Sequence, residues 1–246
     1  MSNELQPEWR AEHVIRSYDV GPNRVARLPV FCGFMQEAAY SHAEHLGVGY
    51  TQLSRSDVSW VLSRMRIEVA RLPKWGETIK LRTWPSGRDR LYYYRDFEIT
   101  DEEGAPVLLA STAWFVIDLI QRERVVPTWW RTQEYPFSPK VFDSKLARLK
   151  GRVGEAGEAL TVNHGDLDQN GHVSNIRYVE WMLNGLPLEF HQAREIKSLD
   201  VNYLAEARHG QSVSIHRSAL DEPTIEHGIS SGGTELFRAR STWTAS

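Results

Sequence analysis

From residue 61 to 69 the chain alternates, with Val61, Ser63, Met65, Ile67 and Val69 on one face and Leu62, Arg64, Arg66 and Glu68 on the other. A two-residue period with one mostly polar face predicts a strand that buries one side. Pro73 and Gly76 punctuate the run, and alternation resumes over 77–84. Leu91, Tyr93, Phe97 and Ile99 form a third row, interrupted by Arg95, before a turn at 101–104. Val107, Leu109, Ala113, Phe115 and Ile117 form a fourth, with Ser111 as its one polar member. Four long strands in meander order predict an antiparallel sheet.

A different period precedes these rows. Over 29–46, Phe31, Met35, Ala38, Ala39, His42 and Leu46 recur at helical spacing, and Gly47 and Gly49 end the run. A first strand is expected over 14–20. The second half repeats the plan: a short strand over 159–164, a loop over 165–171, and a helix over 173–185. Val173, Ile176, Val179, Met182 and Leu183 are placed on the apolar side of that helix. Strands follow at 195–204, 211–219, 223–229 and 235–244. Between the halves, 135–157 lacks periodicity and holds Pro136, Pro139, Gly151, Gly154 and Gly157, so it reads as a linker. The expectation is an α+β chain of two βαββββ units, 1–134 and 158–246, joined at 135–157. A sheet wrapping one apolar helix is the hot-dog architecture, and two such units on one long antiparallel sheet leave fewer unpaired strand edges. Two α+β domains with separate sheets are the alternative.

Composition narrows the class. At 246 residues, with 41% hydrophobic and 25% charged positions, the chain has the makeup of a globular protein. A net charge of −3 gives no global electrostatic footprint for nucleic acid. Cys32 is the one cysteine, so no intramolecular disulfide forms, and no run approaches the ~20 apolar residues of a membrane span. The opening MSNELQPEWR carries no apolar signal core, and a cytoplasmic protein is expected.

The densest polar cluster runs from Asn163 to Asn175, between a strand and the start of a predicted buried helix. First-turn N–H groups there lack intrahelical partners, and the helix dipole favours an oxyanion. Asp168, Asn170 and His172 stand at alternate positions and can surround one reacting carbonyl. Other readings remain. Asp168 or Asn170 can cap the helix. The run from Asp166 to Gly171 resembles the opening of an EF-hand loop, but its twelfth place holds Arg177 instead of a bidentate Glu. A zinc site is a poor fit to an amide-rich cluster without cysteine. Neither G-x-S-x-G nor G-x-x-x-x-G-K-[ST] occurs, and Cys32 beside Phe31 and near Phe34 reads as a packed thiol. Carboxylate or water chemistry is what remains.

The run Asp166-Leu167-Asp168-Gln169-Asn170-Gly171-His172-Val173-Ser174-Asn175, with Tyr178 and Trp181, resembles the signature of acyl-acyl carrier protein thioesterases, fatty-acyl hydrolases of plants and bacteria. The likeness continues through Gln36-Glu37-Ala38-Ala39, Trp60-Val61-Leu62, Gly76-Glu77-Thr78-Ile79 and Trp84-Pro85-Ser86-Gly87. The D-x-D-x-x-G-H-V core also suits single-hot-dog acyl-CoA thioesterases. The Trp-Pro-Ser-Gly stretch and the duplicated unit favour the carrier-protein family.

The resemblance implies a tandem hot-dog enzyme that hydrolyses fatty acyl-acyl carrier protein thioesters and so terminates chain elongation, with no cofactor and no metal. It places the catalytic residues at Asp168, Asn170, His172 and Glu206. Ala207 stands where the family has a cysteine, so a cysteine-nucleophile mechanism is not available; attack by Asp168 and activation of water by it both stay open. The first half lacks a matching set at 19–25, which implies one active site, with 29–46 and 60–69 walling an acyl tunnel. The implied partner is an acidic acyl carrier protein, for which Lys140, Lys145, Arg148, Lys150 and Arg152 are candidate contacts. Neither nucleic acid nor a membrane span is expected, and a homo-oligomer stays open. The competing readings are an acyl-CoA thioesterase, a non-catalytic acyl binder, and a carbohydrate-binding β-rich module supported only by the 9 tryptophans.

Overall fold

The computed structural model describes residues 6–127, 137–151, 154 and 156–245. Of the expected linker, residues 135, 136, 152, 153 and 155 lie outside them, and with them the candidate contact Arg152. The chain divides into two compact units: Met1–Ser63 with Ala70–Leu146, and Arg64–Val69 with Ala147–Ser246.

The first unit contains β1 (Trp9–Val14), α1 (Leu28–His45), α2 (Tyr50–Leu53), the first half of β2 (Val58–Val69), β3 (Thr78–Asp89), β4 (Tyr92–Asp101), β5 (Pro106–Asp118) and β6 (Arg124–Val125). Its hydrogen-bonded order is β1-β3-β4-β5-β2, with β6 on β5. β1 to β3, β3 to β4, β4 to β5 and β5 to β6 all pair antiparallel. α1 packs on β1 and β3, burying Leu28, Phe31, Met35, Ala38, Ala39 and His42. Gly47 ends it in the left-handed region at φ +71, where a missing Cβ removes the steric cost.

Two positions differ from the pattern-based reading. The first strand is Trp9–Val14, not 14–20. Past Ile15, the Arg16 N–H donates to Asp19 Oδ2 at 2.8 Å, so a short carboxylate draws the backbone into a turn instead of a ladder. Arg95, the interruption in the third row, is buried and donates to His42 Nδ1 at 3.0 Å and Thr83 Oγ1 at 3.2 Å. Because Nδ1 accepts, the His42 proton sits on Nε2 and is donated to the Gln6 carbonyl at 3.0 Å. Burial and then the Arg95 charge lower the His42 pKa to about 4.

In the second unit the order is β2-β8-β11-β10-β9-β7, antiparallel between neighbours. The strands are β7 (Ala156–Thr161), β8 (Arg194–Tyr203), β9 (Ser212–Arg217), β10 (Thr224–Ser231) and β11 (Thr234–Ala245). α3 (Asn175–Asn184) packs on β10, and α4 (Leu188–Ala193) packs on β8. The buried residues of α3 are Tyr178, Val179, Trp181, Met182 and Leu183; Val179, Met182 and Leu183 are as expected, Tyr178 and Trp181 widen the buried face, and Ile176 is half-buried. The helix carries Tyr178 and Trp181 inward because their large rings have most to gain from burial, and the Tyr178 hydroxyl finds a partner in the Ala207 N–H. The six-residue α4 is too short for a periodic signal and was not expected. The Asn202 amide pins the chain at 147–149, accepting the Leu149 N–H at 3.0 Å and donating to the Ala147 carbonyl at 2.9 Å.

Candidate active site

β7 leads into a polar turn whose backbone is tied at every step. The Asn163 N–H donates to Asp166 Oδ2 at 2.8 Å, and the Asp166 carbonyl accepts the Ser174 N–H at 2.9 Å, closing the turn onto the start of α3. Inside it, the Asp168 N–H donates to the His172 carbonyl at 2.8 Å and the Gly171 N–H to the Asp168 carbonyl at 3.0 Å. Gly171 has φ +73, which a side chain would strain. Asp168 Oδ1 accepts the N–H of Asn170 at 2.8 Å and of His172 at 3.4 Å. This carboxylate is therefore fixed by the turn it sits in.

The segment that follows β8 supplies the other side. The Ala207 carbonyl accepts the Val173 N–H at 2.9 Å, and the Ala207 N–H donates to the Tyr178 hydroxyl at 3.0 Å. His172 pairs with Arg208 as an isolated antiparallel bridge. These contacts bring Glu206 Oε2 to 3.3 Å from His172 Nε2, with the His172 side chain 20% and the Glu206 side chain 42% exposed. Tyr178 lies beneath them. Burial pushes its pKa up to about 12; the Ala207 N–H opposes that shift, and the negative charges of Glu206 and Asp168 add to it.

In the second unit His172 thus touches Asp168 through its backbone N–H and Glu206 through its ring. Asn170 joins through its backbone N–H, and its side chain is exposed. Neither Asp168 nor Asn170 caps α3: the N-cap is Ser174, without a side-chain capping bond. The N–H groups of residues 171–173, just before the helix, are already bound to Asp168 and Ala207. The first-turn donors of α3 begin at Asn175 and Ile176. Arg177, at the twelfth EF-hand place, ion-pairs with Glu180 and lies 3.8 Å from Asp166. Ala207, which the resemblance aligns with a family cysteine, is 0% exposed. The sequence assigns Tyr178 no role beyond its place in the signature. The available signal was a hydroxyl in a helix's apolar face, which needs a partner when buried.

Comparison with known proteins agrees over nearly the whole chain. Residues 7–128 match the acyl-ACP thioesterase N-terminal domain, and residues 154–245 match the acyl-ACP thioesterase C-terminal domain. A chloroplastic acyl-[acyl-carrier-protein] hydrolase of Cuphea viscosissima is 30% identical over 252 residues, covering 93% of this chain and 60% of that protein. The chain spans less than two thirds of the length of several curated relatives it matches. The crystal structure of an acyl-ACP thioesterase from Bacteroides thetaiotaomicron superposes with a TM-score of 0.90 at 26% identity, covering 99% of this chain and 100% of that one. The 12:0-ACP thioesterase from Umbellularia californica gives 0.86 at 27% identity, covering 98% of each chain. The fold is accordingly the expected α+β tandem hot-dog. With both family domains matched in order, the chain belongs to the acyl-ACP thioesterase family.

Proposed function

We propose that the protein hydrolyses fatty acyl-acyl carrier protein thioesters, releasing free fatty acid and so ending chain elongation. The observation that carries this reading is the approach of Glu206 to His172 at 3.3 Å, beside the turn-fixed Asp168. A thiolate is a good leaving group, so the reaction needs a nucleophile and oxyanion stabilisation more than a strong acid. Asp168 Oδ1 is held by two N–H groups, and its other oxygen attacks the thioester carbon or takes a proton from water. Glu206 orients that water, while His172 and Asn170 hold the thioester. The first-turn N–H groups of α3, at Asn175 and Ile176, are the donors left to stabilise the developing oxyanion. The reaction as proposed consumes only water.

An acidic carrier protein is the proposed partner, with Lys140, Lys145, Arg148 and Lys150 as the candidate contacts and the cytoplasm as the setting. Among the described residues no helix is long and apolar enough to cross a membrane. The test compares one acyl group on carrier protein and on coenzyme A. The carrier-linked substrate is expected to have kcat/KM higher by about tenfold or more, since the carrier adds contacts realised only in that complex. Preference for coenzyme A reassigns the enzyme to acyl-CoA hydrolysis, and fatty-acid binding without turnover marks an acyl binder.

A further inference from the structure

Tyr178 is the buried polar group of this site that the proposed chemistry does not use. It is 2% exposed. Its ring stacks on Phe237 at 5.7 Å and 8° and meets Trp181 and Tyr203 edge-on, which fixes where its oxygen stands. That oxygen takes the Ala207 N–H at 3.0 Å, while the Ala207 carbonyl takes the Val173 N–H at 2.9 Å. Residue 207 is therefore gripped from α3 on one side and from the neighbour of His172 on the other. Glu206 is the residue immediately before it. With its pKa near 12, the Tyr178 hydroxyl keeps its proton through neutral pH.

The first unit provides an internal control, because it builds the same turn. Its Arg27 N–H donates to the Asp19 carbonyl as Ser174 does to Asp166, and its Gly21 N–H donates to Val25 as Asp168 does to His172. Its Ala26 N–H donates to Pro73 as Val173 does to Ala207. The Lys74 N–H donates to Glu77 Oε1 as the Arg208 N–H does to Gln211 Oε1. In this register Phe31 stands for Tyr178, Pro73 for Ala207 and Leu72 for Glu206. Phe31 has no hydroxyl and Pro73 has no N–H, so both partners of the bond are replaced together in the copy that lacks the glutamate. A bond needed only for folding would serve either copy. This one accompanies the carboxylate.

We propose that Tyr178 is the positioning residue of the site: by accepting the Ala207 N–H, its hydroxyl fixes the Glu206 carboxylate against His172. The inference rests on the reading of Asp168, His172 and Glu206 as the active site. Its test measures kcat and KM on an acyl-acyl carrier protein for Y178F, E206Q and their double variant, per folded protein by circular dichroism. Y178F should lower kcat by about tenfold to a hundredfold with KM within about twofold, the signature of lost positioning. The double variant should match E206Q, because Tyr178 acts through the group already removed. In protein labelled with 15N-histidine, the His172 ring signals of Y178F should move toward their positions in E206Q. Wild-type kcat in Y178F, or losses that multiply in the double variant, overturns the proposal. Should Y178F fail to fold, Ala207→Pro removes the same bond from its donor side and is read in the same way. Full activity in both D168N and E206Q instead overturns the active-site reading itself, whatever Y178F does.

Discussion

The turn before α1 and the turn before α3 have the same backbone and opposite chemistry. Asp19 and Asp166 each accept an N–H three residues upstream at 2.8 Å, and Arg24 and Gly171 each take a positive φ, +61 and +73. Asparagine is common to both, as Asn23 and Asn170. What separates them is Gly21 in place of Asp168, Val25 in place of His172 and Leu72 in place of Glu206. A hydrogen-bonded turn leading into a buried helix is thus a scaffold that duplication preserved in both units. The candidate chemistry belongs to three side chains placed on one copy. Even the asparagines work differently: the Asn23 side chain accepts the Val25 N–H at 3.1 Å, whereas Asp168 takes that role in the second turn.

The largest effect expected from this asymmetry is on turnover. Asp168→Asn keeps an Oδ1 acceptor for both N–H groups but removes the charge, so kcat should fall by about 1,000-fold with the melting temperature little changed. Asn23→Ala should leave kcat intact and cost about 1 kcal/mol, from the lost turn bond. Equal losses of kcat from the two variants would remove the functional distinction between the turns.

A second difference lies in how each unit responds to acid. The first unit buries His42, with a pKa lowered to about 4 by burial and by Arg95, and the second buries His227, lowered to about 3 by burial and by Arg217. Both histidines are neutral when folded and regain the ordinary value of 6.5 when unfolded. Below that value the unfolded chain binds the extra proton. The stability they contribute is therefore full above pH 6.5 and is lost as pH falls, through about 4 for His42 and about 3 for His227. Each contributes a slope of up to about 1.4 kcal/mol per pH unit. His42→Gln should flatten the urea-unfolding stability profile between pH 4 and 6.5, and His227→Gln should extend the flattening lower. Unchanged profiles in both variants would contradict these protonation states.

The smallest effect concerns the matching positive-φ positions. Gly171→Ala should destabilise by about 1 kcal/mol in thermal unfolding, since a Cβ meets no atom within 4 Å and the cost is conformational alone. Arg24→Gly relieves the same strain but loses a guanidinium 5.4 Å from the Trp75 ring, so its change should stay within about 0.5 kcal/mol. A large gain from Arg24→Gly would mean that the Trp75 contact contributes little.

The alternating rows, the duplicated unit and the cluster from Asn163 to Asn175 were legible because each depends on neighbours within a few positions. The limits of that legibility are equally specific. The first strand was misplaced because the Asp19 carboxylate captures a backbone N–H that alternation alone would assign to a ladder. Periodicity places Val179, Met182 and Leu183 inside, where they are, but leaves the edge of that face open between Ile176 and Tyr178 until a sheet selects it. Glu206 was a candidate by family resemblance only, as its own surroundings read as an ordinary strand end.

On its own, the sequence determined the main strands and helices, their order and repetition, and which turn carries acids and a histidine, since 2.0- and 3.6-residue periods and turn chemistry are local properties. Tertiary structure alone decided that His172 and Glu206 lie 3.3 Å apart, and that a tyrosine hydroxyl on a helix holds the residue after that glutamate. Those contacts join segments distant along the chain, and only sheet pairing and helix burial bring them within hydrogen-bonding range.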